Sequence, residues 1–148
     1  MLKKILLATL LSLVAIQFIP LEKTNPKVDD SKALHCDEKV MVILKKSCYD
    51  CHSNETKWST YSEIAPLSFG VVSHVNDGRK ALNFSEYKVI EIERKKARLK
   101  RAIVTLNNGM MPLPSYTMFH EEAVLTKEER AILVKWFESE LEVCETQN

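Results

Sequence analysis

The pentapeptide Cys48-Tyr49-Asp50-Cys51-His52 narrows what this chain can fold into more than any other stretch of it. Two thiols three positions apart with an imidazole beside the second have the form of a c-type haem attachment site. Each thiol adds to one vinyl group of the same porphyrin, and the neighbouring imidazole becomes the proximal ligand of the iron. The expectation is one covalent haem c, held by Cys48 and Cys51, with His52 on the metal. A thioredoxin-like disulfide would need a strand before the motif, and none is legible there. A structural zinc site needs four ligands, commonly two paired sets. The chain has no second Cys-x-x-Cys, and His35, Cys36 and Cys144 are scattered. A plain disulfide or two free thiols is the blandest alternative.

A haem in the core would suit the rest of the composition. The 148 residues, 45% hydrophobic and 28% charged, suffice for one modest domain and not for two. With 21 basic against 20 acidic side chains the net charge is +1, so no basic excess advertises nucleic acid. Only 3 glycines occur, too few for an architecture of many hairpins, and the expected fold is all-α.

The N-terminal segment carries Lys3 and Lys4 and then an uncharged run from Ile5 to Ile19, followed by Pro20. This is the form of an export signal. As a helix the run would be about 22 Å long, short of the roughly 30 Å hydrocarbon layer, which favours cleavage. The run ends in Gln17-Phe18-Ile19-Pro20, without the small-x-small pair that a signal peptidase needs, which favours an uncleaved anchor. Either way Lys3 and Lys4 stay on the cytoplasmic side. The working domain is expected on the periplasmic side of a bacterial inner membrane, anchored or released. The expected organisation is a signal or anchor at 1–20, a linker at 21–33 and a haem domain at 34–148.

Helical periodicity runs from Asp37 to Ser47, where Val40, Met41, Ile43 and Leu44 form an apolar stripe leading into Cys48. From Cys51 to Phe84 the pattern weakens, and one helix of about 66–74 is expected among loops, with Asn76-Asp77-Gly78 as a breaker. A long helix is expected after Ser85 as N-cap, with Val89, Ile92, Leu99, Ile103 and Leu106 on one stripe, stopped by Asn107-Asn108-Gly109. Thr126-Lys127-Glu128-Glu129 has capping-box spacing and opens a last helix carrying Leu133, Trp136, Phe137, Leu141 and Cys144.

A second axial ligand is expected from Gly109-Met110-Met111-Pro112-Leu113-Pro114. A thioether sulfur favours ferrous iron, and prolines after it fix an extended loop. Met111, directly before proline, is the preferred ligand, with His74 and His120 as alternatives. Trp58, Tyr61 and Phe69 are candidates to cover a haem edge, and Arg79 is a candidate to pair with a propionate. The charged run from Glu91 to Arg101 is a candidate surface for an acidic redox partner.

These residues together resemble the bacterial haem-binding-domain family of single-haem c-type cytochromes, over roughly residues 15–137. The resemblance is carried by Gln17-Phe18-Ile19-Pro20, Thr24-Asn25-Pro26, the haem motif through Trp58, Ile64-Ala65-Pro66, His74-Val75-Asn76-Asp77-Gly78-Arg79, Leu82-Asn83-Phe84-Ser85, Gly109-Met110-Met111-Pro112, Tyr116, His120 and Leu125-Thr126-Lys127-Glu128-Glu129. It implies a class-I-like cytochrome c domain and an uncleaved N-terminal anchor. One departure is Leu113, where the family's usual Met-Pro-Pro has a second proline. In cytochromes of this type the first and last helices pack together, which makes a Cys36–Cys144 bridge conceivable. The expected function is one-electron carriage between redox partner proteins with His/Met-ligated iron. The rivals are a peroxidase-type enzyme and a haem-based sensor of small ligands, both needing an open or displaceable sixth position.

Overall fold

The computed structural model describes residues 1–146; Gln147 and Asn148, the last two of the expected domain, lie outside the described residues. Seven α-helices follow one another: α1 Leu2–Ala15, α2 Glu38–Ser47, α3 Tyr49–His52, α4 Leu67–Ala81, α5 Ile92–Asn107, α6 Pro114–Thr117 and α7 Lys127–Thr146. Short 3-10 turns connect them, and no strand occurs among the described residues. The all-α expectation holds.

Local chemistry fixes several boundaries. The Asp37 carboxylate accepts from the Val40 N–H at 3.1 Å, and so starts α2. At α7 the expected capping box is complete: Thr126 N–H donates to the Glu129 carboxylate at 2.9 Å, while Glu129 N–H donates to the Thr126 hydroxyl at 3.1 Å. Gly109 ends α5 with φ +66, a left-handed value that favours glycine. Beyond it, Met110 N–H donates to the Thr105 carbonyl at 2.9 Å.

Two helices differ from expectation. α4 does not stop at 74 but runs through Asn76-Asp77-Gly78 to Ala81, because Gly78 is needed inside the helix for a close approach described below. α5 begins at Ile92 and not at Ser85. Its N-cap is Glu91, whose carboxylate accepts from the N–H groups of Glu93 and Arg94 at 2.9 and 3.0 Å. The Ser85 hydroxyl is engaged elsewhere, residues 84–89 form a 3-10 turn, and Val89 is exposed instead of lying on the buried stripe.

The core lies where α5 and α7 pack along each other under α2. Val40, Ile43, Leu44, Tyr49, Phe84, Leu99, Leu106, Leu133 and Phe137 form one cluster, and Cys144 belongs to it with Cys36 packed at its edge. Removing these apolar surfaces from water stabilises the fold by about 25 cal/mol per Å². Lys46 reaches across from α2 to pair with Glu129 at the head of α7. The charged run on α5 is partly committed within the protein: Lys96 pairs with Glu93, Lys100 with Glu145, and the Lys95 ammonium sits 4.6 Å over the Tyr87 ring.

α1 stands apart from this core, with none of its side chains buried. Its 14 residues reach about 21 Å at about 1.5 Å per residue, and no helix among the described residues is long and apolar enough to cross a membrane. The segment after it is fastened to the domain. The Gln17 carboxamide bonds both backbone groups of Ala65, Lys23 donates to the Ser62 carbonyl and pairs with Glu63, and Asn25 donates to the Thr56 carbonyl at 2.8 Å.

Candidate functional site

The motif is helical on both sides. Cys48 ends α2 and opens α3, and its carbonyl accepts from the N–H groups of Cys51 and His52 at 3.2 and 2.9 Å. One turn therefore carries both thiols and the imidazole. All four cysteines of the chain are thiols. Burial pushes the Cys48 thiol up to about 12, with Cys51 adding to it. Burial pushes Cys51 up to about 11, Asp50 adding and Arg79 opposing. Both sulfurs are thus held in the neutral, apolar form that a thioether resembles.

His52 is oriented through its outer nitrogen. Nδ1 lies 2.9 Å from the Leu82 carbonyl, which fixes Nδ1 as the donor and leaves Nε2 as the basic nitrogen. Burial holds the ring below the ordinary imidazole value, so the basic nitrogen keeps its lone pair. The Phe84 ring, tilted 6.1 Å away, supports the imidazole and stacks on Tyr49 at 5.4 Å.

The carbonyl that holds His52 is itself held. Asn83 donates from Nδ2 to the Asn54 carboxamide oxygen at 2.9 Å. Asn54 N–H donates to the Ser85 hydroxyl at 3.0 Å, and Ser85 N–H returns to Asn83 Oδ1 at 3.0 Å. This buried ring of contacts ties 82–85 to the loop after the motif. On the other side α4 presses against the motif at Gly78, where a Cβ would stand 2.4 Å from the Cys51 carbonyl oxygen. Only a glycine allows that approach.

Of the side chains expected at the site, Arg79 is used within the protein. Its guanidinium donates to the carbonyls of Ser53 at 2.7 Å and Thr24 at 2.8 Å, to Asn25 Oδ1 at 3.0 Å and to the Thr56 hydroxyl at 2.9 Å. Few donors remain for a propionate, and its evident work is to bind the N-terminal strap to the motif loop. Trp58 is half-buried in that loop.

The segment holding Met111 leads into α6, whose Tyr116 reaches the motif. Met111 packs against the core while Met110 is exposed, and the Met111–Pro112 bond is cis. Arg130 of α7 donates to the Met111 carbonyl at 3.0 Å and to the Leu106 carbonyl at 2.6 Å, holding both ends of the loop. Tyr116 on α6 donates to the Asp50 carboxylate, within the motif, at 2.7 Å. His120 has both ring nitrogens engaged, Nε2 with the Tyr61 hydroxyl at 2.8 Å and Nδ1 with Glu122 at 3.0 Å, and Tyr116 stacks on it at 4.4 Å. His74 is exposed on α4. Neither alternative histidine offers the combination that Met111 does, a donor packed inward on a loop pinned at both ends.

Sequence reasoning missed Gly78, the Leu82 carbonyl, Asn83, and the Asp50–Tyr116 and Tyr61–His120 pairs. Gly78, Asn83, Tyr116 and His120 had a signal, being among the residues that carry the resemblance, and a glycine inside a helical stretch marks a close approach as well as a break.

Whether these residues fit a porphyrin is a question of donors. An imidazole oriented through Nδ1, two thiols within one turn, and the buried Ser47 hydroxyl without a hydrogen bond beside Cys48 together make a donor set of that kind. The residues fit haem. A family model described as a haem-binding domain matches residues 11–139. No curated protein and no solved structure matches the chain.

Proposed function

The chain belongs to the haem-binding domain family, and from that premise we propose that it is an exported single-haem c-type cytochrome that carries single electrons. The observation that carries this reading is His52. Its Nδ1 is committed to the Leu82 carbonyl, and the ring stands one residue from Cys51 and one turn from Cys48. When bound, haem supplies one-electron ferric and ferrous chemistry.

The protein's residues supply attachment, orientation and exclusion of water. Cys48 and Cys51 would hold the group covalently. His52 would ligate its iron, with the bond to Leu82 raising the basicity of the ring. Met111 would supply the second protein ligand, and Arg130 limits how far its loop can move. Phe84 and Tyr49 exclude water behind His52. Trp58 covers the edge on the motif loop. With two ligands retained in both oxidation states little would need to reorganise, which suits a carrier. α1 is an uncleaved anchor with Lys3 and Lys4 on the cytoplasmic side, and the domain works in the periplasm. Its partners are redox proteins.

Protein expressed in a host able to mature c-type cytochromes is expected to stain for haem on a denaturing gel, with an intact mass equal to the whole chain plus one haem. A colourless product at the mass of the bare chain would end the proposal. The ferric spectrum should contain the weak near-infrared Met–iron band, and Met111→Ala should abolish it. High-spin iron in the unaltered protein would favour the peroxidase or sensor reading instead. An unchanged Met111→Ala spectrum would move the distal ligand to His74 or His120.

With the two haem thiols consumed, Cys36 and Cys144 remain. Both lie at the core beside Tyr87, and burial pushes Cys36 up to about 11, so that thiol is not primed to react. Unfolded, haem-loaded protein is expected to titrate two free sulfhydryls. None would show that the two are joined.

A further inference from the structure

α1 is apolar all round, its charges confined to Lys3 and Lys4, and its side chains have no protein to bury them. A helix of that kind is stable in a protein interior or in lipid. What distinguishes this one is how little slack separates it from the domain. Two residues after Ala15, Gln17 accepts from the Ala65 N–H at 3.1 Å and donates to the Ala65 carbonyl at 3.0 Å, the pairing that a neighbouring strand would make. Lys23, Asn25 and the Arg79–Thr24 bond repeat the attachment over the next eight residues. A chain pinned in this way does not act as a flexible leash.

The Gln17–Ala65 contact is ringed by large apolar side chains open to solvent. The strap contributes Phe18, 81% exposed, and Ile19, 50% exposed. The domain contributes Ile64, 56% exposed, and Leu67, 49% exposed, on either side of Ala65. The ion pair at this place, Lys23 with Glu63, joins opposite charges, with Glu22 exposed beside it on the strap.

We infer that Phe18, Ile19, Ile64 and Leu67 form a membrane-contact surface, so that the domain sits flush on the lipid at the root of an embedded α1. The occupant is lipid because the patch is continuous with α1. A protein partner would have to enclose the helix as well as the patch. The length of α1 points the same way, since its roughly 21 Å falls short of a roughly 30 Å hydrocarbon layer. A short apolar helix is accommodated by thinning of the bilayer and by the residues flanking its end, and this patch places four such residues there. The inference rests on the anchor role proposed for α1.

The test uses the full-length, haem-loaded protein in nanodiscs of phosphatidylcholine and phosphatidylglycerol, doped with a phospholipid bearing a diazirine in its acyl chain. After irradiation, mass spectrometry locates the lipid adducts. Adducts are expected both on α1 and on the peptide covering 60–70, and none on the exposed Val104 and Val143 of α5 and α7, which serve as aqueous references. Gln17→Ala should lose most of the 60–70 adduct while keeping that on α1. Adducts on α1 alone would overturn the inference and leave the anchor standing. Adducts on neither segment would overturn the anchor, and the inference with it.

Discussion

Gly78→Ala is expected to destabilise the protein by about 2 kcal/mol, although alanine is the better helix former. In an isolated helix the change would stabilise by about 1 kcal/mol. Here the added Cβ would stand 2.4 Å from the Cys51 carbonyl oxygen and 2.9 Å from its carbon, both backbone atoms that no rotamer change can clear. Helix α4 must therefore move away from the motif. Overpacking of this kind costs typically 1–3 kcal/mol, and the contact outweighs the propensity. The movement would carry Leu82 with it, since Leu82 follows α4 directly and its carbonyl holds His52. The melting temperature should fall by about 6 °C at roughly 2–4 °C per kcal/mol, and haem incorporation should fall with it. A melting temperature that rises, as propensity alone would give, would show that α4 does not press on the motif.

Phe84→Ala should do more damage. Phe84 is 2% exposed and touches both Tyr49 and His52, so truncation opens a cavity at the back of the imidazole. Losses of about 3–5 kcal/mol are usual for such a change, a large share of the stability of a domain of this size. Phe84→Leu, which keeps most of the volume, should cost about 1.5 kcal/mol or less. The pair separates packing from chemistry. If denaturant unfolding gave Phe84→Ala within about 1 kcal/mol of the unaltered protein, the ring would not be a support of the site.

The parts of this protein that were legible in its sequence are those whose causes are local. The capping box at Thr126 and Glu129 and the glycine stop at 109 each act within a few residues, and each formed as the spacing required. The motif was legible for the same reason, its three chemical groups being neighbours in the chain. Contacts made at long sequence separation defeated the reading. Ser85 looked like a helix cap because its hydroxyl has the right chemistry, but Asn54, 31 residues earlier, takes that hydroxyl. Asn76-Asp77-Gly78 looked like a stop because no sequence pattern announces that Cys51 will lie against Gly78. Arg79 looked free to meet a propionate because the carbonyls that occupy it lie 26 and 55 residues away. The linker at 21–33 has a linker's composition, yet part of it is fastened to the domain, and nothing in its own residues foretells the bonds that Lys23, Thr24 and Asn25 make.

The surroundings of Arg79 carry one more consequence. Every atom it donates to is a neutral oxygen, so its charge has no counter-ion among its hydrogen-bond partners, and it is close enough to Cys51 to act on that sulfur. A guanidinium keeps its proton across the whole working range of acidity. Asp50 within the motif and Arg79 beside it therefore act on Cys51 in opposite senses, and the guanidinium's share of that balance does not drift as the acidity of the surroundings changes.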